Sequence, residues 1–326
     1  MPRSAKLPSG LPRLAAAVVA VAIVAAVAFM SPQARAQTCC AGQLPNDVDN
    51  FATLYEGDPH TLNVTGTPSA PVSVGGNIGI GDGGSFMGTG TGTVTGTVEF
   101  SATSSGQFTP NTISVTGGST FNNMNVQMDL NALNAASATL REEPGTSITI
   151  APNTPTTPRN VSSGKLDSNG NYVFTAAVAS NFAAGTTFTI NNDTDTSNPF
   201  VVINVTTGGN PFDGSIVLNG LTPDHVLFNF DASSGLVGGD TLTIDTDGNT
   251  TTGLFLDPNG MIDITNSVID GRVFGGDTAN FDITSATIMA PSVVQAAPEP
   301  ASLVLLGAGL VMLGIVRRRH RPLARS

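Results

Sequence analysis

The densest acidic pattern in this 326-residue chain is Asp245-Thr246-Asp247-Gly248-Asn249, with the alternating oxygen side chains of a calcium loop. An EF-hand would continue with Gly at position 250 and Glu at 256; Thr250 and Leu256 stand there, so that motif fails. A looser calcium site remains, with Asp245, Asp247, Asp263 and Asp282 as its ligands. Asp193-Thr194-Asp195 is a weaker candidate of the same kind. A polysaccharide lyase on a β-helix would add a basic proton acceptor to such acids, and Arg272, beside Asp270, is the one basic candidate there. Other catalytic chemistry has little support. His60 and His225 are far apart in sequence, and neither a G-x-S-x-G elbow nor a zinc-type Cys/His cluster occurs. The expectation is a protein that is not an enzyme and needs no cofactor beyond that calcium.

Gly79-Ile80-Gly81-Asp82-Gly83-Gly84 satisfies G-x-G-x-x-G, but a dinucleotide site needs a helix immediately after it. Ser85-Phe86-Met87-Gly88 and a Thr-Gly alternation follow instead, so nucleotide binding is excluded. Thr89, Thr91, Thr93, Thr95 and Thr97 would share one face if they formed a single strand. Such a flat row is similar to the binding faces of solenoid ice-binding proteins. It would equally suit a polysaccharide, or simply hydrate an exposed strand.

Charge is unevenly placed. The net charge is −11, yet residues 37–297 carry 23 acids against Arg141, Arg159, Lys165 and Arg272, a net of −19. Both ends are basic. An acidic middle repels phosphate backbones, which excludes nucleic acid as a partner. Tryptophan is absent and there are two tyrosines, so sugar recognition on aromatic platforms is also disfavoured.

Residues 1–36 read as a signal peptide. Arg3, Lys6 and Arg13 precede an apolar run from Leu14 to Phe29, and Ala34-Arg35-Ala36 offers a cleavage site before Gln37. Signal peptidase and the general secretion machinery are the implied partners. Cys39 and Cys40 then follow in an oxidising compartment, free to pair within or between chains. At the other end Pro298-Glu299-Pro300 leads into an apolar stretch over 301–316, and Arg317, Arg318 and Arg319 open a basic tail over 317–321. Sixteen helical residues span about 24 Å, a short transmembrane helix whose arginines stay cytoplasmic.

This ending resembles the PEP-CTERM sorting signal of Gram-negative bacteria over residues 298–321. The resemblance implies that an exosortase recognises Pro298, Glu299 and Pro300 and cleaves nearby. The protein would then be held in the inner membrane transiently and passed to the cell surface or the extracellular matrix.

The elements of the middle follow from short apolar alternations between turn residues: Val72/Val74, Ile78/Ile80, Ile113/Val115, Ile148/Ile150, Phe188/Ile190, Ile216/Leu218, Leu242/Ile244 and Ile262/Ile264. One helix is expected over Leu130–Glu143, stopped by Pro144-Gly145. Ile262-Asp263-Ile264-Thr265 repeats as Phe281-Asp282-Ile283-Thr284 at an offset of 19, and a step back of 18 reaches Ile244-Asp245. A period near 20 suits one coil of a β-helix. It would stack Ile244, Ile262 and Phe281 inside and Asp245, Asp263 and Asp282 outside. The fold class is therefore mainly all-β: a right-handed β-helix or solenoid ectodomain over 37–297 with one short helix, plus the C-terminal transmembrane helix. A β-sandwich is the alternative.

His225-Val226-Leu227-Phe228-Asn229-Phe230, Gly253-Leu254-Phe255-Leu256-Asp257-Pro258-Asn259 and Asp270-Gly271-Arg272-Val273-Phe274-Gly275-Gly276 are similar to the end of a choice-of-anchor A domain. Phe228 replaces that family's tryptophan and Asp257 its alanine. The likeness covers roughly residues 47–290. It implies an adhesive surface solenoid, structural or adhesive in exopolysaccharide or biofilm. A secreted carbohydrate-active enzyme on the same scaffold is the alternative.

Overall fold

The computed structural model describes Leu44 and residues 48–57, 59–102, 104, 106–207, 211–230, 241–276 and 280–290. The signal-cleavage residues Ala34, Ala36 and Gln37, the cysteines, the 301–316 segment, and the sorting residues Pro298–Pro300 and Arg317–Arg319 lie outside them. No helix among the described residues is long and apolar enough to cross a membrane. Residues 37–295 form one compact unit.

The body is a β-solenoid built almost wholly from parallel strands, the one antiparallel pair among the described residues being Lys165–Leu166 with Tyr172–Val178. The sandwich alternative is therefore not adopted. Each complete coil gives one strand to each of three walls. Thr61–Gly66, Val72–Gly75 and Asn77–Ile80 form one coil, and Ser85–Gly90, Gly92–Val94 and Val98–Phe100 stack on it as the next. The inward residues of these strands make a continuous core that includes Leu62, Val64, Phe86, Val94, Phe100, Ile262, Ile264, Phe281 and Ile283.

The walls differ because their outer faces do. One wall stacks ten strands and is covered by helix α1, Met124–Arg141. Its strands are buried on both sides, which is why Phe51–Tyr55, Val201–Thr207 and Val226–Phe230 are nearly continuous apolar runs. Leu54, Val173, Val202, Leu227, Leu254 and Phe274 point outward from it into a second core with Val126, Leu130, Leu133 and Leu140 of α1. The helix starts six residues before the expected Leu130, because Asn123 caps it by accepting from the Asn125 N–H at 3.1 Å. A second wall stacks six strands and is open to solvent, and its strands alternate: Thr61–Gly66 and Met261–Thr265 each bury every second side chain. The third runs through Val72–Gly75, Gly92–Val94 and Thr287–Met289.

Strand order along the stack is not chain order. The chain enters in the middle, coils to one end, crosses back through α1 to the other end, and coils inward until Phe281–Thr284 and Thr287–Met289 meet the first coil.

The row Thr89–Thr97 does not form one strand. Thr89 belongs to the open wall and Thr93 to the third wall, while Thr91, Thr95 and Thr97 sit in the connections between strands. The physical reason is Gly90. At φ +80° it turns the corner, with a Cβ there falling 1.8 Å from the Gly66 carbonyl oxygen. The five hydroxyls thus wrap the coil instead of lining a face.

Candidate functional site

The open wall presents rows of side chains at the spacing of neighbouring strands, about 4.8 Å. Its strands are Thr241–Asp245, Met261–Thr265, Phe281–Thr284, Thr61–Gly66, Ser85–Gly90 and Phe108–Thr109, in that order. One outer row runs Asp245, Thr265, Thr284, Thr65, Thr89. The next runs Thr243, Asp263, Asp282, Asn63, Met87, Thr109. These positions are half-buried or exposed, and the residues between them point into the core. Thr61 Oγ1 and Ser85 Oγ hydrogen-bond across neighbouring rungs at 2.8 Å.

The offset of 19 between Ile262 and Phe281 is confirmed residue for residue, with Asp263 opposite Asp282 and Ile269 opposite Ile288. The step of 18 to Ile244 is not. Ile244 pairs with Ile264 and Leu242 with Ile262, an offset of 20 that sets Asp245 against Thr265. The turn after Asp245 accounts for the difference. Asp247 and Gly248 both take positive φ, and the Asn266 side chain donates to Asp247 Oδ1 at 3.2 Å. Asp245 therefore leaves the column of Asp263 and Asp282, and Asp247 sits in an exposed turn. The expected set of Asp245, Asp247, Asp263 and Asp282 is not assembled. Among the described residues no three His, Cys, Asp or Glu side chains are grouped to hold a metal ion.

Neutral donors meet the two carboxylates that do stack. Asn63 Nδ2 donates to Asp282 Oδ1 at 2.7 Å, and Thr265 Oγ1 donates to Asp263 Oδ1 at 3.0 Å. The same device recurs elsewhere: Asn77 and Asn123 both donate to Glu99, at 3.0 and 2.6 Å, and Asn134 donates to Glu56. Asp193 of the weaker candidate accepts from the Ser162 side chain and backbone, which holds its carboxyl below the usual range. Asp213 is pushed up by burial and by the nearby charge of Asp245.

Arg272 cannot serve as a proton acceptor for a lyase. It is 2 % exposed, its Nη1 donates to the Phe51 carbonyl at 2.7 Å, and its Nε pairs with Asp224 at 3.4 Å. It lies on the helix-covered wall, whereas Asp245 and Asp263 face outward from the open wall, so no groove joins the three. His225 is structural. Its ring stacks on Phe200 with centroids 4.0 Å apart, and Nδ1 lies 2.7 Å from the Asn198 carbonyl, which can only accept; Nδ1 therefore carries the proton.

That setting predicts a pH response. Burial, opposed by the Asn198 contact and the Asp224 charge, lowers the His225 pKa from 6.5. A depressed histidine supports the fold fully above about pH 6.5 and loses that support as pH falls, because the unfolded chain takes up the proton first. Wild type should therefore lose more thermal stability between pH 7.5 and 5.5 than the His225→Gln variant. Equal losses in parallel thermal melts would show that His225 is not the titrating group.

Asp245, Asp263 and Asp282 of the open wall's rows stand out by residue type, whereas Thr65, Thr265, Thr284 and Asn63 do not. Their signal was the alternation Thr61-Leu62-Asn63-Val64-Thr65, which matches Met261–Thr265 only once the strands are brought into register.

A known protein family matches most of the chain. A family model described as "Putative Ice-binding-like adhesive domain" matches residues 42–282, and the PEP-CTERM protein-sorting motif matches residues 296–321. The choice-of-anchor A likeness over 47–290 falls on the same stretch as the first of these. Among curated proteins none matches. Similar solved structures include an ice-binding protein from the Antarctic ascomycete Antarctomyces psychrotrophicus, 15% identical with a TM-score of 0.43, covering 78% of this chain and 99% of that one. Another is the ice-binding protein_1 DUF3494 domain of Shewanella frigidimarina, 16% identical with a TM-score of 0.44, covering 78% and 98%. A third is from an Arctic yeast, 14% identical with a TM-score of 0.42, covering 82% and 98%. The sorting motif makes this an exosortase-processed protein, exported to the surface or exterior of a Gram-negative cell. Its exported body belongs to the ice-binding-like adhesive domain family.

Proposed function

We propose that the domain is a non-enzymatic adhesive module, anchored in the inner membrane through 301–316 until processing. We take its coil to be right-handed, the hand adopted by parallel strand crossovers. In this reading the open wall is the contact surface, and its ligand is a hydroxyl-rich polymer of the exopolysaccharide or biofilm matrix. The observation that carries the proposal is the two adjoining rows, in which hydroxyl, amide and carboxylate groups repeat from rung to rung on a solvent-facing sheet. A net charge of −19 over 37–297 favours a neutral polymer over a uronic-acid one. Ice is the second reading, favoured by Thr265, Thr284 and Thr65 on consecutive rungs with Thr89 next. The charged neighbours Asp263 and Asp282 weigh against it.

Affinity electrophoresis through dextran tests the choice. The processed protein should be retarded, and the Thr65→Lys/Thr284→Lys variant should bind at least about tenfold more weakly, as expected when two central contacts are replaced by bulky charge. Equal retardation of the two proteins would move the contact off the open wall. Inhibition of ice recrystallisation without dextran binding would replace polymer by ice.

A further inference from the structure

The strand order carries a consequence for export. Strand Phe281–Thr284 lies between Met261–Thr265 and Thr61–Gly66, and Thr287–Met289 lies between Val268–Gly275 and Val72–Gly75. On the helix-covered wall the place that would continue this coil is filled by the first strand, Phe51–Tyr55, between Val268–Gly275 and Asn77–Ile80. One coil of the solenoid is thus assembled from both ends of the domain.

Its backbone bonds run to both neighbours. The Asn266 N–H donates to the Thr284 carbonyl at 3.0 Å and the Thr287 N–H to that of Ser267 at 2.8 Å. On the other side the Ser285 N–H donates to the Thr65 carbonyl at 2.8 Å, and the Ser73 N–H to that of Ala286 at 2.9 Å. Phe281 and Ile288 from this coil are fully buried, and the Phe281 ring meets Tyr55 of the first strand edge-on at 6.0 Å. Without residues 281–290 the first coil lacks its partners on two walls. Its apolar residues Leu62, Val64, Val72 and Val74 then lose the layer above them. A coil that cannot bury its core without a stacked neighbour is not stable alone.

We propose that this composite coil acts as a folding lock: the amino-terminal coils stay unfolded until residues 281–290 have left the secretion channel. The chain therefore crosses the membrane in an extended, export-competent form, although its first strands emerge long before its last. The last residue of this coil is held in place as well. The Ala290 N–H donates to the Gly75 carbonyl at 3.3 Å, and a Cβ on Gly76 would meet both Ala52 and Ala290.

The test is pulse-labelling hydrogen exchange during refolding of the mature, exosortase-processed protein. Amides of Thr61–Gly66 and Val72–Gly75 should gain protection no earlier than those of Phe281–Met289. Protection of the stretch 61–100 in a phase that clearly precedes 281–289 would overturn the lock. It would show that the amino-terminal coils fold without their carboxyl-terminal neighbour.

Discussion

Replacing Asn229 by leucine should cost about 3–5 kcal/mol and loosen helix α1 from the sheet beneath it. Asn229 is fully buried and Asn204 and Ser137 nearly so, and together they form a closed polar network inside an apolar layer. Asn229 Nδ2 donates to Asn204 Oδ1 at 2.9 Å and to the Ser137 carbonyl at 3.2 Å. Ser137 Oγ in turn donates to Asn229 Oδ1 at 2.5 Å, and Asn204 Nδ2 donates to the Leu140 carbonyl at 2.7 Å. Leucine keeps asparagine's branched skeleton but is bulkier, so crowding adds to the cost. The rest of the loss comes from the Ser137 hydroxyl, the Ser137 carbonyl and the Asn204 carbonyl, which stay buried without their partner. Urea unfolding should show the reduced stability, and native-state hydrogen exchange should show the helix amides opening first. A cost under about 1 kcal/mol would mean that apolar packing alone holds the helix. Ser137→Ala combined with the Asn229 change should cost less than the sum of the two, because both remove the same bond.

Gly271→Ala should be of similar size, about 3 kcal/mol or more, for a steric reason. Gly271 has φ +153°, and a Cβ there would stand 1.8 Å from the Gly253 carbonyl oxygen on the neighbouring rung. Both glycines lie where a long strand bends from the third wall onto the helix-covered wall, Thr250–Asp257 in one coil and Val268–Gly275 in the next. Relief would require moving backbone hydrogen-bonded on both sides. For a domain of this size the melting temperature should fall by about 6–12 °C. Gly248→Ala is the control: φ is +78°, but nothing lies within 4 Å of its Cβ, so only the backbone preference is lost, about 1 kcal/mol. Equal melting temperatures for the two variants would show that the corner yields, and that contact between coils is not what demands glycine there.

The sequence by itself determined whatever depends on local pattern. Paired apolar residues at 72/74, 148/150, 188/190 and 262/264 became strands, because alternation alone decides which side of a strand is buried. The helix was readable from Leu130, Leu133, Ser137 and Leu140, and the 19-residue repeat gave the register of two coils. Export and sorting were readable because translocation and exosortase recognition act on contiguous residues, as the matched motif over 296–321 reflects.

The tertiary structure decided what depends on residues far apart in the chain. Two extra residues in the turn after Asp245 moved it out of the Asp263–Asp282 column, and no local signal fixes such a slip. Arg272 looked available beside Asp270, but the first strand, more than 200 residues earlier, buries it. Asn229 lies in a recognisable motif, but its role depends on α1 crossing the wall and bringing Ser137 to it. The binding rows were hidden for the same reason. Thr65, Thr265 and Thr284 come from coils at opposite ends of the chain, and only stacking makes them neighbours.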